Sequence, residues 1–182
     1  MSVIKNRPLK QLLWVGIAAI AMFFAGLTSA YIVRKAEGNW TEFVLPDWFW
    51  YSTITIVISS VVLILAKQKI KKDQSVFSLV LSVFVLGLLF AYFQLNGWEE
   101  LTNQGVFLTG EGSNVAGSFL YVITLSHLVH LIGGLIALLV TAINAKRKKY
   151  SAENYLGLEI TSIYLHFLSI LWIYLFCFLK YL

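Results

Sequence analysis

Five apolar stretches of about membrane length, separated by short polar segments, set the pattern of this 182-residue chain. They run Leu12–Val33, Trp48–Ala66, Val76–Phe93, Gly117–Ile143 and Gly157–Leu179. A helix rises about 1.5 Å per residue, so roughly 20 residues cross a hydrocarbon core about 30 Å thick. The pattern predicts an all-α integral membrane bundle of five transmembrane helices. Gly117–Ile143 is longer than a crossing needs, which implies tilt or protrusion. The connections are too short to fold alone, so residues 1–182 read as a single membrane domain. A content of 59% hydrophobic residues and a mean hydropathy of +0.78 exclude a soluble domain, which could not hide so much apolar surface.

Charge orients the pattern. Lys5, Arg7, Lys10, Lys67, Lys69, Lys71, Lys72, Lys146, Arg147, Lys148 and Lys149 fall on one side of the predicted spans, while Arg34, Lys35 and Lys180 fall on the other. That is 11 basic residues against 3. Positive residues favour the cytoplasmic side, so the N-terminus is expected there and the C-terminus outside. Glu37, Glu42, Asp47, Glu99, Glu100 and Glu111 collect on the opposite side. The net charge of +5 is thus a topology signal and a handle for anionic lipid headgroups, not a nucleic-acid footprint. The basic start and Thr28-Ser29-Ala30 would suit a cleaved signal peptide. However, the run from Leu12 exceeds a signal core and continues through Tyr31-Ile32-Val33, so an uncleaved first helix is expected. Cys177, the single cysteine, reads as a small packing residue.

Tryptophans near the helix ends, Trp48, Trp50, Trp98 and Trp172, read as anchors at the headgroup level. Ala19, Phe23, Gly26 and Ala30 repeat at 4, 3 and 4 residues, a mostly small stripe that lets helix backbones approach; Gly26, Gly133 and Gly134 are the expected packing glycines. The second span, rich in Ile, Val, Ser and Thr, is the least informative. The longest loop, roughly Leu95–Ala116, carries four glycines and suits a docking surface.

The fourth and fifth spans hold nearly all of the intramembrane ionisable groups. His127, His130, Gly134, Ala137 and Thr141 step by 3, 4, 3 and 4, and Glu159, Ser162, His166 and Ser169 step by 3, 4 and 3. Each series lies on one helical face. Two such faces on successive antiparallel helices are expected to meet, shielding His127, His130, Glu159, Ser162 and His166 from lipid, where an ionisable group costs several kcal/mol. Three uses remain open: ligation of haem or a metal, a proton or substrate path, and a structural polar network.

Gly117-Ser118 followed by His127, His130 and Gly133-Gly134 resembles subunit III of the haem–copper respiratory oxidases, especially its short five-helix bacterial form. Gly157, Glu159, Tyr164-Leu165-His166-Phe167 and Trp172-Ile173 are similar to that family's last helix. Met22–Gly26 resembles its M-F-F-A-G segment, and Phe93-Gln94 its L-Q. The likeness runs in order over most of the chain. Departures are Ile20 in place of a membrane glutamate, Gly97 in place of the acid after L-Q, and Ser169 in place of the acid after the last-helix motif. Two further N-terminal helices of the longer form have no counterpart here.

The resemblance implies a non-redox subunit of a bacterial proton-pumping cytochrome c oxidase, in the cytoplasmic membrane, packed on subunits I and II. Haem and copper would then sit on those partners, with no catalytic, metal or cofactor residue on this chain. It also leaves room for bound phospholipid and for a supercomplex with a quinol-oxidising partner. The alternatives are subunit III of a quinol oxidase, a small membrane b-type cytochrome and a transporter.

Overall fold

The computed structural model describes residues 2–38, 40, 42–110 and 112–182, with side chains from Pro8 onward. Glu111 and the side chains of Lys5 and Arg7 lie outside the described residues. Five helices, each long and apolar enough to cross a membrane, follow in order: α1 Ser2–Ala36, α2 Trp48–Ile70, α3 Phe77–Asn103, α4 Val115–Lys146 and α5 Leu156–Tyr181.

Their ends show why these stretches begin and stop where they do. The Asn114 side chain accepts from the backbone N–H of Gly117 at 2.6 Å, satisfying one of the free donors of the first turn of α4. α3 closes with Gly105 in the left-handed region, φ 79°. The Val106 N–H returns to the Leu101 carbonyl at 2.9 Å and the Gly105 N–H to that of Thr102 at 3.0 Å, a glycine-terminated helix end.

α3 therefore runs ten residues past the expected boundary at Phe93, and the expected loop from Leu95 shrinks to the segment after Asn103. The physical reason is burial. Gln94, Gly97 and Leu101 continue the inward face of α3, and a Cβ at Gly97 would lie 2.7 Å from Cε2 of Phe49. Any side chain at Gly97 would require the Phe49 ring to shift.

Four helices close a ring, α2 against α3, α3 against α4, α4 against α5 and α5 back against α2. α1 stands outside the ring and, among the described residues, packs only on α4 and α5. Registers fix the directions. Thr53 meets Trp172 and Ser60 meets His166, as antiparallel helices require. Lys10 meets Glu159 and Thr28 meets Tyr174, so α1 runs parallel to α5. One end of the bundle gathers the lysine clusters and the other gathers Trp48, Trp50 and Trp98; we call them the lysine end and the tryptophan end.

Trp172 is not an interface anchor. It is fully buried at the centre of the ring, with its indole N–H donating to Thr53 Oγ1 at 3.0 Å. Phe90 meets it edge-on at 5.0 Å and Phe49 stacks on it at 6.2 Å. A buried tryptophan needs one acceptor for its N–H, and Thr53 supplies it. Trp48 and Trp98 are half-buried and Trp50 is exposed, with the Lys180 ammonium 4.2 Å above its ring.

Candidate functional site

The histidines separate into three surroundings. His127 is fully buried inside the ring, between Phe90 of α3 at 5.6 Å and Trp172 of α5 at 5.0 Å. Its Nε2 lies 3.1 Å from the Leu168 carbonyl, which only a donor can satisfy, so the proton sits there. His130, one helical step away, turns outward to α1, where Phe24 and Phe23 lie 5.7 and 6.3 Å from its ring. Its Nδ1 is 2.7 Å from the Ser126 carbonyl of its own helix. His166 faces α2, with Nδ1 2.5 Å from Ser60 Oγ.

The two expected polar faces thus meet only in part: His127 and Thr141 of α4 reach the Leu168 carbonyl and Thr161 of α5, while His130 turns to α1 and His166 to α2. Glu159 pairs with Lys10 of α1 at 2.8 Å, near the lysine end. Ser162 is buried with its hydroxyl unpartnered among the described residues. Steps of 3 and 4 do place Glu159, Ser162 and His166 on one side of α5. The flaw lay in assigning that side to α4, because α5 is flanked by three helices, and this side borders α2 and α1.

Apart from His127, what α4 offers α5 is mostly small or hydroxylated. A Cβ on Gly134 would lie 2.8 Å from Cδ2 of Leu165, so this glycine sets a close approach, as expected. Thr141 Oγ1 lies 3.1 Å from Thr161 Oγ1, and Tyr164 donates to the His130 carbonyl at 3.1 Å. Gly133 meets only Tyr164 Oη, at 3.9 Å, and Gly26 meets nothing within 4 Å. The stripe of Ala19, Phe23, Gly26 and Ala30 is exposed on α1, so within this chain Gly26 packs against no helix.

α2, the span that appeared least informative, supplies the polar partners that were missed. Ser52 accepts from Gln94 of α3 at 2.8 Å, Thr53 from Trp172, and Ser60 meets His166. The available signal was the density of Ser and Thr at positions 52, 53, 55, 59 and 60 of an otherwise aliphatic helix.

No pair of histidines faces another across a gap that would seat a haem between them. Among the described residues no three His, Cys, Asp or Glu side chains gather into a group able to hold a metal ion. Chemically the arrangement fixes helix register, with each interhelical hydrogen bond worth about 1 kcal/mol.

The family model described as cytochrome c oxidase subunit III matches residues 44–182. A probable cytochrome c oxidase subunit 3 of Nocardia farcinica is 31% identical, over 94% of this chain and 87% of its own length. Cytochrome c oxidase subunit 3 of Corynebacterium diphtheriae is 26% identical over 85% of this chain and 78% of its own. That of Thermostichus vulcanus is 26% identical over 90% and 82%.

Proposed function

The chain belongs to the cytochrome c oxidase subunit III family, and from that premise we propose that it serves as the non-redox third subunit of a bacterial proton-pumping cytochrome c oxidase. In this role it packs on subunit I, with subunit II in the same complex, in the cytoplasmic membrane. It stabilises the catalytic subunit and supports proton uptake during aerobic electron transport, and haem and copper reside on the partners. Phospholipid and a quinol-oxidising complex are further proposed neighbours. The family match over residues 44–182 carries this reading. The dispersal of the three histidines over three interfaces supports it, because two histidines facing each other is what a b-type cytochrome needs.

Removing the chain from the purified oxidase tests the proposal. We expect haem and copper spectra to persist and oxygen consumption to start but decline sooner with turnover. Unchanged activity, lifetime and assembly would refute the supporting role, and loss of a haem along with the chain would return the cytochrome alternative.

The proposed orientation places the lysine end in the cytoplasm, supported by the 11-to-3 division of basic residues. Single cysteines introduced beside Lys148 should resist a membrane-impermeant reagent applied from outside. Ready labelling there would reverse the topology.

A further inference from the structure

Hydroxyl groups in this bundle follow a common pattern. Ser52 and Thr53 donate to the Phe49 carbonyl, Thr124 to that of Leu120 and Thr28 to that of Phe24, at 2.7 to 3.0 Å. Each then accepts from a donor on another helix, respectively Gln94, Trp172, Trp98 and Tyr174. The hydroxyl proton goes to its own helix and the lone pair goes across. Ser60 departs from this pattern. Its single hydrogen-bond partner among the described residues is Nδ1 of His166, at 2.5 Å. Whichever of the two atoms donates, Ser60 occupies Nδ1 and leaves Nε2 to find its partner elsewhere.

That nitrogen has no partner among the described residues of this chain, and His166 is half-exposed. Ten residues at about 1.5 Å each put it about 15 Å from the start of α5, near the middle of a 30 Å hydrocarbon core. Acyl chains offer no hydrogen-bonding group at such depth, and an unsatisfied polar group there is costly.

The surroundings form a groove. Glu159, Ile163, His166, Ile170, Ile173 and Cys177 step by 4, 3, 4, 3 and 4 along the outward side of α5, and Ile170 is 68% exposed. α1 and α2 flank this strip through Lys10 and Ser60 without touching each other. By contrast the exposed side of α3, at Leu81, Val85, Leu88 and Leu89, is aliphatic and suits lipid.

We propose that the groove between α1 and α2 seats a transmembrane helix of a partner oxidase subunit, which presents a hydrogen-bonding group to His166 Nε2 at mid-membrane. The inference rests on the subunit III reading and adds to it the docking face and the polar contact that selects it. A lipid chain fills the apolar part of the groove and leaves Nε2 unmet.

Photo-crosslinking and retention in the intact complex, purified in mild detergent, test this. A benzophenone amino acid at position 170 should form an adduct with a partner oxidase subunit, and one at position 88 with lipid alone. His166→Leu should reduce retention of the chain on the complex about three- to tenfold, and His166→Gln, which keeps an N–H, should restore most of it. Ile170→Trp, at an exposed position, should also lower retention while leaving thermal unfolding of the full chain unchanged, which separates docking from folding. Adducts from position 170 with lipid only or with a second copy, or full retention of both His166→Leu and Ile170→Trp, would overturn the groove while leaving the subunit reading intact. A chain that does not copurify with an oxidase would overturn both.

Discussion

α1 and α5 are matched in apolarity and run parallel, yet they hold opposite places in the bundle. Half of the most apolar window of α5 is buried, 50%, against 17% for α1. α5 contacts three helices and α1 two. The difference lies in how polar side chains are spent. α5 commits Trp172 to Thr53, Thr161 to Thr141, Tyr164 to the His130 carbonyl and His166 to Ser60, all across helix interfaces. α1 is held by an ion pair at one end, one hydroxyl pair at Thr28, and aromatic contacts of Tyr31 with Phe178 at 5.0 Å and Phe119 at 5.9 Å. In lipid, hydrophobicity inserts helices but does not sort them. Small residues and satisfied polar pairs decide which helix is central.

The sharpest way to break the contrast is at its centre. Trp172→Ala removes a fully buried indole and leaves Thr53, Phe49 and Phe90 around a cavity, at a cost of about 3–5 kcal/mol. Folded protein recovered in detergent should fall sharply, and normal recovery with an unchanged unfolding temperature would deny Trp172 its place. A smaller effect separates two glycines of similar sequence appearance. Gly134→Leu drives a side chain into Leu165 and should destabilise by about 1–3 kcal/mol or more. Gly26→Leu enters open space on α1 and should change the stability of the chain alone by less than about 0.5 kcal/mol. Equal costs in thermal unfolding would mean that α1 packs inward along its small-residue stripe after all. The smallest change is expected at Glu159→Gln. The partly exposed Lys10–Glu159 pair contributes about 0–1 kcal/mol, so global unfolding should barely move. Limited proteolysis should nevertheless cut the lysine end of α1 faster, and added salt should erase the difference from the unmutated protein.

Helix number and approximate ends were legible because length and apolarity alone decide whether a segment spans lipid. The end of α3 was not, since Gln94, Asn96 and Glu99 read as polar while Gln94, Gly97 and Leu101 continue a buried face. Trp172 illustrates a second limit. A tryptophan near a helix end suits the headgroup region or the core equally, and only a hydroxyl on another helix, Thr53, tells them apart. The periodicity of Glu159, Ser162 and His166 was correct, and its neighbour was assigned to the wrong helix. A period of 3.6 gives a face but not its partner, which depends on the closure of α2 onto α5.

Because α1 touches only α4 and α5 among the described residues, it is synthesised before the helices that seat it. Its docking surface is complete only once the fifth helix has entered the bilayer. During that interval α1 stays tethered through residues 37–47 while α2 and α3, adjacent in sequence and in space, can already pair. Order of synthesis and order of placement therefore differ for α1 relative to α2 and α3. A substitution in α1 should consequently delay completion of the bundle without slowing the start of its assembly.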